Sequence, residues 1–281
     1  MNTNKHGGAS KVLLIVVYLI TVLFWIAFVA STKYTATYTG PYFDYLLKPF
    51  LVGMTILPIL GGIFGLVNAQ HWGSTRSVVG RSLLGLSAGL IAWGGGMVVW
   101  NYYLFFTDIA VPYPSLADAI FILSWPLWTY GIFQLSRATG VTFALRSLQG
   151  KIMLFIVPFV VGIISYYLVF NVARGGVIDW TSGTSKLIFD VFYPIGDIVI
   201  ATITVLVYTL SRRFLGGVYK NAVLILLAGF MFNYLSDIIF SYTTTQGTYF
   251  NGHFVDFLFT TTMFVLSMAI AMFDQGKLEK E

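Results

Sequence analysis

The sequence predicts an all-α, polytopic membrane bundle of eight transmembrane helices. Three observations carry this. The chain is 57% hydrophobic and only 10% charged, with a mean hydropathy of +0.82. A soluble domain carries roughly 25% charged residues. Eight apolar stretches are each long enough to span, at about 20 residues. Lys and Arg concentrate in every second connecting segment, twelve against four, as the positive-inside rule requires.

The stretches run over Lys11–Ser31, Leu46–Asn68, Ser82–Phe105, Ser115–Leu135, Lys151–Val172, Ser185–Leu210, Asn221–Thr243 and His253–Phe273. The apolar run of the first, Val12 to Ala30, exceeds the 7–15 residues of a signal-peptide core and reads as a retained helix. The reading is one integral membrane domain over 1–281, with a short cytoplasmic tail at 274–281.

With the N-terminus in the cytoplasm, Lys5, Lys11, Arg76, Arg81, Arg137, Arg146, Lys151, Arg212, Arg213, Lys220, Lys277 and Lys280 fall inside. Lys33, Lys48, Arg174 and Lys186 fall outside. Twelve of 16 basic residues on one side is a strong bias, and it places both termini in the cytoplasm. The pI near 9.3 therefore reflects cytoplasmic loops, and no nucleic-acid partner is expected. Eight of the 11 acids take the outer side: Asp44, Asp108 and Asp179 in loops, and Asp118, Asp190, Asp197, Asp237 and Asp256 within helices. A low-dielectric mouth with that imbalance attracts cations.

Small residues mark helix contacts. Gly61-x-x-x-Gly65, Gly85-x-x-x-Gly89 and Gly94-Gly95-Gly96 let backbones approach closely; a hinge at the triple glycine is the competing reading. The third and seventh stretches share Asn101-Tyr102 and Asn233-Tyr234, each followed by an aspartate opening the next helix. This suggests two parallel four-helix halves, 1–150 and 151–273.

The intramembrane acids are the candidate ligand-binding site. A carboxylate in hydrocarbon costs at least ~2.5–3.5 kcal/mol and normally faces a bundle interior or a wet cavity. Asp190, Tyr193 and Asp197 lie at i, i+3 and i+7, on one helix face continued by Thr204 and Tyr208. Pro194 removes a backbone hydrogen bond and predicts a kink. Asn233 and Asp237 are i, i+4, and Asp118 and Asp256 open their helices. For these last two, capping of the helix N-terminus is an equal reading. Lys186, four residues before Asp190, is a candidate partner for it. Asp197, Asp237 and Asp256 are expected to share one cavity.

Tyr113-Pro-Ser-Leu-Ala-Asp118 with Trp125-Pro126, then Phe192-Tyr193-Pro-Ile-Gly-Asp197, then Asn233-Tyr-Leu-Ser-Asp237 with Gly247-Thr-Tyr249, Gly252 and Asp256 resemble, in order, a bacterial family. It is the multi-helix membrane region found N-terminal to GGDEF-type diguanylate cyclases and some histidine kinases. The resemblance covers about Val111–Phe273 and implies a sensor or input module signalling to a separate cytoplasmic partner.

Other chemistries fail on residue type. The chain has no cysteine, and its three histidines do not cluster within spans, which removes thiolate and histidine-rich zinc sites. The eighth stretch has no lysine for a retinal Schiff base. Ile195-Gly196-Asp197 matches part of an intramembrane aspartyl-protease signature but lacks its first glycine. No enzyme activity and no cofactor are expected. Two classes remain: a sensor or binding module for a small ligand or cation from the outer side, and a transporter or channel for a cation or small solute. Inner halves rich in Leu, Val, Ile and Phe favour the first.

Overall fold

The computed structural model describes residues 3–33, 40–107, 111–176, 184–212 and 217–274. Over these residues it is an all-α bundle, 86% helical, with eight helices long and apolar enough to cross a membrane. They are α1 (Thr3–Thr32), α2 (Lys48–His71), α3 (Val78–Phe106), α4 (Leu116–Ala138), α5 (Leu148–Ser165), α6 (Thr184–Ser211), α7 (Lys220–Thr245) and α8 (Phe254–Ala271). A π-helical turn, Phe43–Leu47, leads into α2, and another, Tyr166–Ala173, prolongs α5. A one-turn helix, Val141–Ala144, joins α4 to α5.

Capping residues set several starts. The Ser77 and Ser147 hydroxyls accept from Gly80 N and Gly150 N, fixing the first turns of α3 and α5. Ser115 and Asp118 form a reciprocal capping box at α4. α6 continues helically through Pro194, so the expected kink does not interrupt it.

The bundle is arranged around α2, α3 and α8. α1 lies outside, against α2 and α8, and α4 packs along α3. α6 bridges α4 and α7, while α5 lies at the edge against α6. The outward faces of α1 and α5 carry Leu23, Phe155 and Phe159, as lipid-facing helices do.

The glycines act as packing sites. A Cβ on Gly85 would sit 2.9 Å from the backbone nitrogen of Gly131, and one on Gly61 2.0 Å from Ser267 Oγ. In the triple glycine, Gly94 and Gly96 meet Ile59 and Phe121, whereas Gly95 is roomier. The α3 helix is continuous through all three, which fits packing rather than a hinge. The two candidate halves differ locally. Asn101 bonds across to Thr55 and Leu51 of α2, but Asn233 bonds within its own helix. Tyr102 is exposed, whereas Tyr234 is buried and pairs with Ser165.

Candidate functional site

Four of the five intramembrane acids gather at a single end of the bundle, in three neighbouring hydrogen-bonded groups. That end holds the starts of α4, α6 and α8 and the last turns of α3 and α7.

At its outermost point Asp190 accepts from the Tyr113 phenol at 2.7 Å and pairs with the Arg174 guanidinium at 3.5 Å. The partner is thus Arg174, from the turn after α5, and not the expected Lys186. Partial burial and the bond to Asp190 raise the Tyr113 pKa, so the phenol acts as a donor. Asp190 and Arg174 each keep about a quarter of their side chain exposed, at 23%.

One helical turn deeper, the Tyr193 phenol donates to Asp118 at 2.8 Å. Asp118 also accepts from the Ser115 amide at 2.7 Å. It therefore caps α4 and anchors α6 at once, so the capping and network readings are both realised in one carboxyl. Tyr193 packs edge-on against Trp125, with ring centres 5.1 Å apart.

Deeper again, Trp125 Nε1 donates to Asp197 at 2.9 Å. The Asp197 and Asp237 carboxyls lie side by side. Asn233 Nδ2 donates to Asp237 at 2.5 Å, and its buried Oδ1 has no hydrogen-bond partner. Arg174 is near enough for its charge to act on Asp197. Asp197 is buried and Asp237 partly buried.

Gly196 makes this geometry possible. Its missing Cβ would lie 2.6 Å from the Trp125 ring, so any side chain here would push the indole off α6. The glycine beside Asp197 is thus a seat for Trp125, whose N–H then reaches the acid.

Asp256 stands apart. Its carboxyl accepts from Gly252 N at 2.6 Å and from the Tyr249 phenol at 3.0 Å, closing the loop that enters α8. This is the capping role, and it separates Asp256 from the Asp197–Asp237 pair with which it was expected to share a cavity. Gly252 itself has φ +92, and a Cβ would strike Phe28 and Leu47, so glycine is required on both counts. Asp118 and Asp256 nevertheless share a plan: each takes one backbone N–H near its helix start and one tyrosine phenol.

Of the loop acids, Asp44 pairs with Lys48 at 2.7 Å, and Asp108 and Asp179 lie outside the described residues. Among the described residues no cluster of three or more His, Asp or Glu side chains is arranged to hold a metal ion.

Sequence reasoning passed over Trp125, Gly196, Tyr113 and Arg174 as site residues. Trp125 and Tyr113 stood inside the quoted motifs, and Gly196 directly precedes the deepest acid. Arg174 was one base in an outer segment, and nothing in its spacing connects it to α6.

Two clefts lie at the opposite, basic half. One, about 230 Å3, is lined by Thr204 and Tyr208 of α6 and Leu227 and Met231 of α7, among others. The other, about 200 Å3, lies between Arg212 and the start of α5.

No known family profile, curated protein or solved structure matches the chain.

Proposed function

We propose that this protein is a membrane-embedded sensor. It takes a small ligand or cation from the outer side at the Asp190–Asp118–Asp197–Asp237 system and signals to a separate cytoplasmic protein. The single observation that carries the reading is that the polar system ties three helices together at one end only. Tyr193 joins α6 to α4, Trp125 joins α4 to α6, and the Asp197 carboxyl of α6 meets Asp237 of α7. A ligand that competes for any of these bonds acts on the placement of α6, which bridges the bundle's two sides. Such a ligand shifts the population between arrangements by its difference in affinity for them.

The proposed setting is a bacterial inner membrane with both termini cytoplasmic, supported by the distribution of Lys and Arg. The motif resemblance to cyclase- and kinase-linked membrane regions supports the same role. The test is a melting-temperature screen of the purified full chain in detergent against Na+, K+, Mg2+, Ca2+ and small carboxylates and amines. A ligand of the folded state raises apparent stability. A response present in the wild type and lost in Asp197→Asn supports the sensor site. A response unchanged in that variant rejects it.

A second reading is transport of a cation or small solute. It is favoured by the polar stripe of α6 continuing through Thr204, whose buried hydroxyl has no partner, into a cleft in the other half. Uptake into sealed vesicles of reconstituted protein separates the two, because a sensor gives none.

A further inference from the structure

We propose that Asp197, Asp237 and Asn233 together hold one dehydrated monovalent alkali cation between α6 and α7. The inference rests on the sensor site proposed above and names the ligand that site takes.

The first observation is a pair of acceptors that face each other without a donor. The Asp197 carboxyl of α6 and the Asp237 carboxyl of α7 lie side by side. Among the described residues each receives one N–H. Trp125 Nε1 reaches Asp197 Oδ1 at 2.9 Å, and Asn233 Nδ2 reaches Asp237 Oδ2 at 2.5 Å. Neither bond runs between the two carboxyls. Adjacent carboxylates in a low-dielectric interior repel strongly unless a positive charge joins them.

The second observation does not involve the acids. Asn233 is only 4% exposed, and its buried Oδ1 has no hydrogen-bond partner. The planar amide that touches Asp237 through Nδ2 holds this oxygen beside the pair. An unpaired amide oxygen in a bundle interior is costly. A cation on the Oδ1 edge of the amide supplies the missing partner and leaves the Nδ2 bond to Asp237 intact. A proton cannot do the same. Bridging the carboxyls, it satisfies two acceptors and leaves Oδ1 unpaired.

Size and charge set the class of ion. A set of oxygens alone suits a hard cation. Ca2+ takes about 6–8 oxygens and Mg2+ keeps several waters, more than three closed-in side chains provide. Asp197 is 6% exposed, so the site suits a bare ion rather than a ligand of many atoms. The Arg174 guanidinium pairs with Asp190, and its charge also acts on Asp197. It offsets part of the negative charge of the pair, and one monovalent cation offsets the remainder. Bound there, the ion joins α6 to α7 where the carboxylates otherwise push them apart.

The test is a melting-temperature titration of the purified full chain in detergent, with NaCl replacing choline chloride at constant ionic strength and pH. Na+ should stabilise the wild type saturably, as a ligand of the folded state does. Asn233→Ala and Asp237→Asn should each raise the Na+ midpoint about tenfold or more, the loss expected for one contact to a charged group. Asn233→Asp, which keeps the oxygen, should bind at least as well as the wild type. Asp44→Asn, in the ion pair with Lys48, should leave the midpoint unchanged. Asp197→Asn should cost little in choline and should lose the Na+ response. Should Asn233→Ala or Asp237→Asn elute abnormally on gel filtration, the other carries the same expectation. Binding of radiolabelled Na+ to the wild type needs no variant. Equal melting in NaCl and choline with no Na+ bound overturns the cation site. So does a Na+ response unchanged in both variants, which places the ion elsewhere. A midpoint for Ca2+ below that for Na+ overturns the monovalent assignment. If no alkali cation acts but a small amine or carboxylate stabilises the protein through Asp197, the sensor reading stands and this inference alone falls. If nothing acts through Asp197, both fall.

Discussion

Replacing Asp197 with alanine and with asparagine separates hydrogen bonding from charge at the centre of the network. Alanine removes the acceptor of Trp125 Nε1, at 2.9 Å, and the carboxyl bonded to Asp237. Interhelical hydrogen bonds in membrane proteins average about 0.6 kcal/mol and reach about 1.7. Two of them give a loss of about 1–3 kcal/mol, toward the upper end because the indole N–H and Asp237 are left without partners. Asparagine restores both contacts: its carbonyl accepts from Trp125 and its amide donates to an ionised Asp237. Its cost should stay within about 0.5 kcal/mol, the range of neutral substitutions. Reversible unfolding in mixed micelles with increasing SDS, followed by tryptophan fluorescence, measures both. If asparagine is as destabilising as alanine, the pair depends on charge, as a buried ion pair with Arg174 would. If alanine costs nothing, the network is not formed. Either result refutes the Trp125–Asp197–Asp237 arrangement.

Four further outcomes follow from the same contacts. Gly196→Ala should displace Trp125 and lower melting temperature, while Trp125→Phe in the same background should recover part of the loss because the indole bond is already absent. Gly85→Ala should destabilise by about 1–3 kcal/mol through overpacking against the α4 backbone, whereas Gly95→Ala, with 3.5 Å to its nearest neighbour, should be neutral or stabilising by up to ~1 kcal/mol; equal effects would contradict the packing described. His253, which caps α8, has its pKa lowered by burial, so the folded state favours neutral imidazole. Its contribution is present above the unfolded value near 6.5 and is lost as pH falls from there through the lower folded-state value; melting curves from pH 8 to 5 should show a smaller acid loss in His253→Asn, a non-titrating cap, than in the wild type. Because the chain has no cysteine, a single cysteine at Thr245 should react with an impermeant thiol reagent on intact cells, and those at Ser74 and Thr139 should not; the reverse pattern would invert the orientation.

Much of the site was legible because buried charge is conspicuous in an apolar helix. Asp190, Tyr193 and Asp197 fall on one face by helical spacing alone, and Asn233 and Asp237 meet one turn apart. Both predictions concern neighbours on one helix, where periodicity fixes geometry. What failed concerned partners on other elements. Lys186 had the right spacing for Asp190, but Arg174 is brought there by the turn after α5. Asp256 has the same residue type as its counterparts, yet it opens its helix and the loop at Gly252 engages it first.

The sequence by itself determined that this chain has eight helices able to cross a membrane, with most of its acids toward one end and most of its bases toward the other. Hydrocarbon admits only satisfied backbone and few charges, so span length, helix type and the placement of ionisable groups are written residue by residue. The tertiary structure decided which acids meet. Helix order around α2, α3 and α8 depends on where backbones can approach, as at Gly85 with Gly131 and Gly196 with Trp125. Those contacts join residues 46 and 71 positions apart, beyond the reach of any periodicity. They turn separate aspartates into a connected Asp118–Tyr193 and Trp125–Asp197–Asp237 system, while Asp256 remains with its own helix.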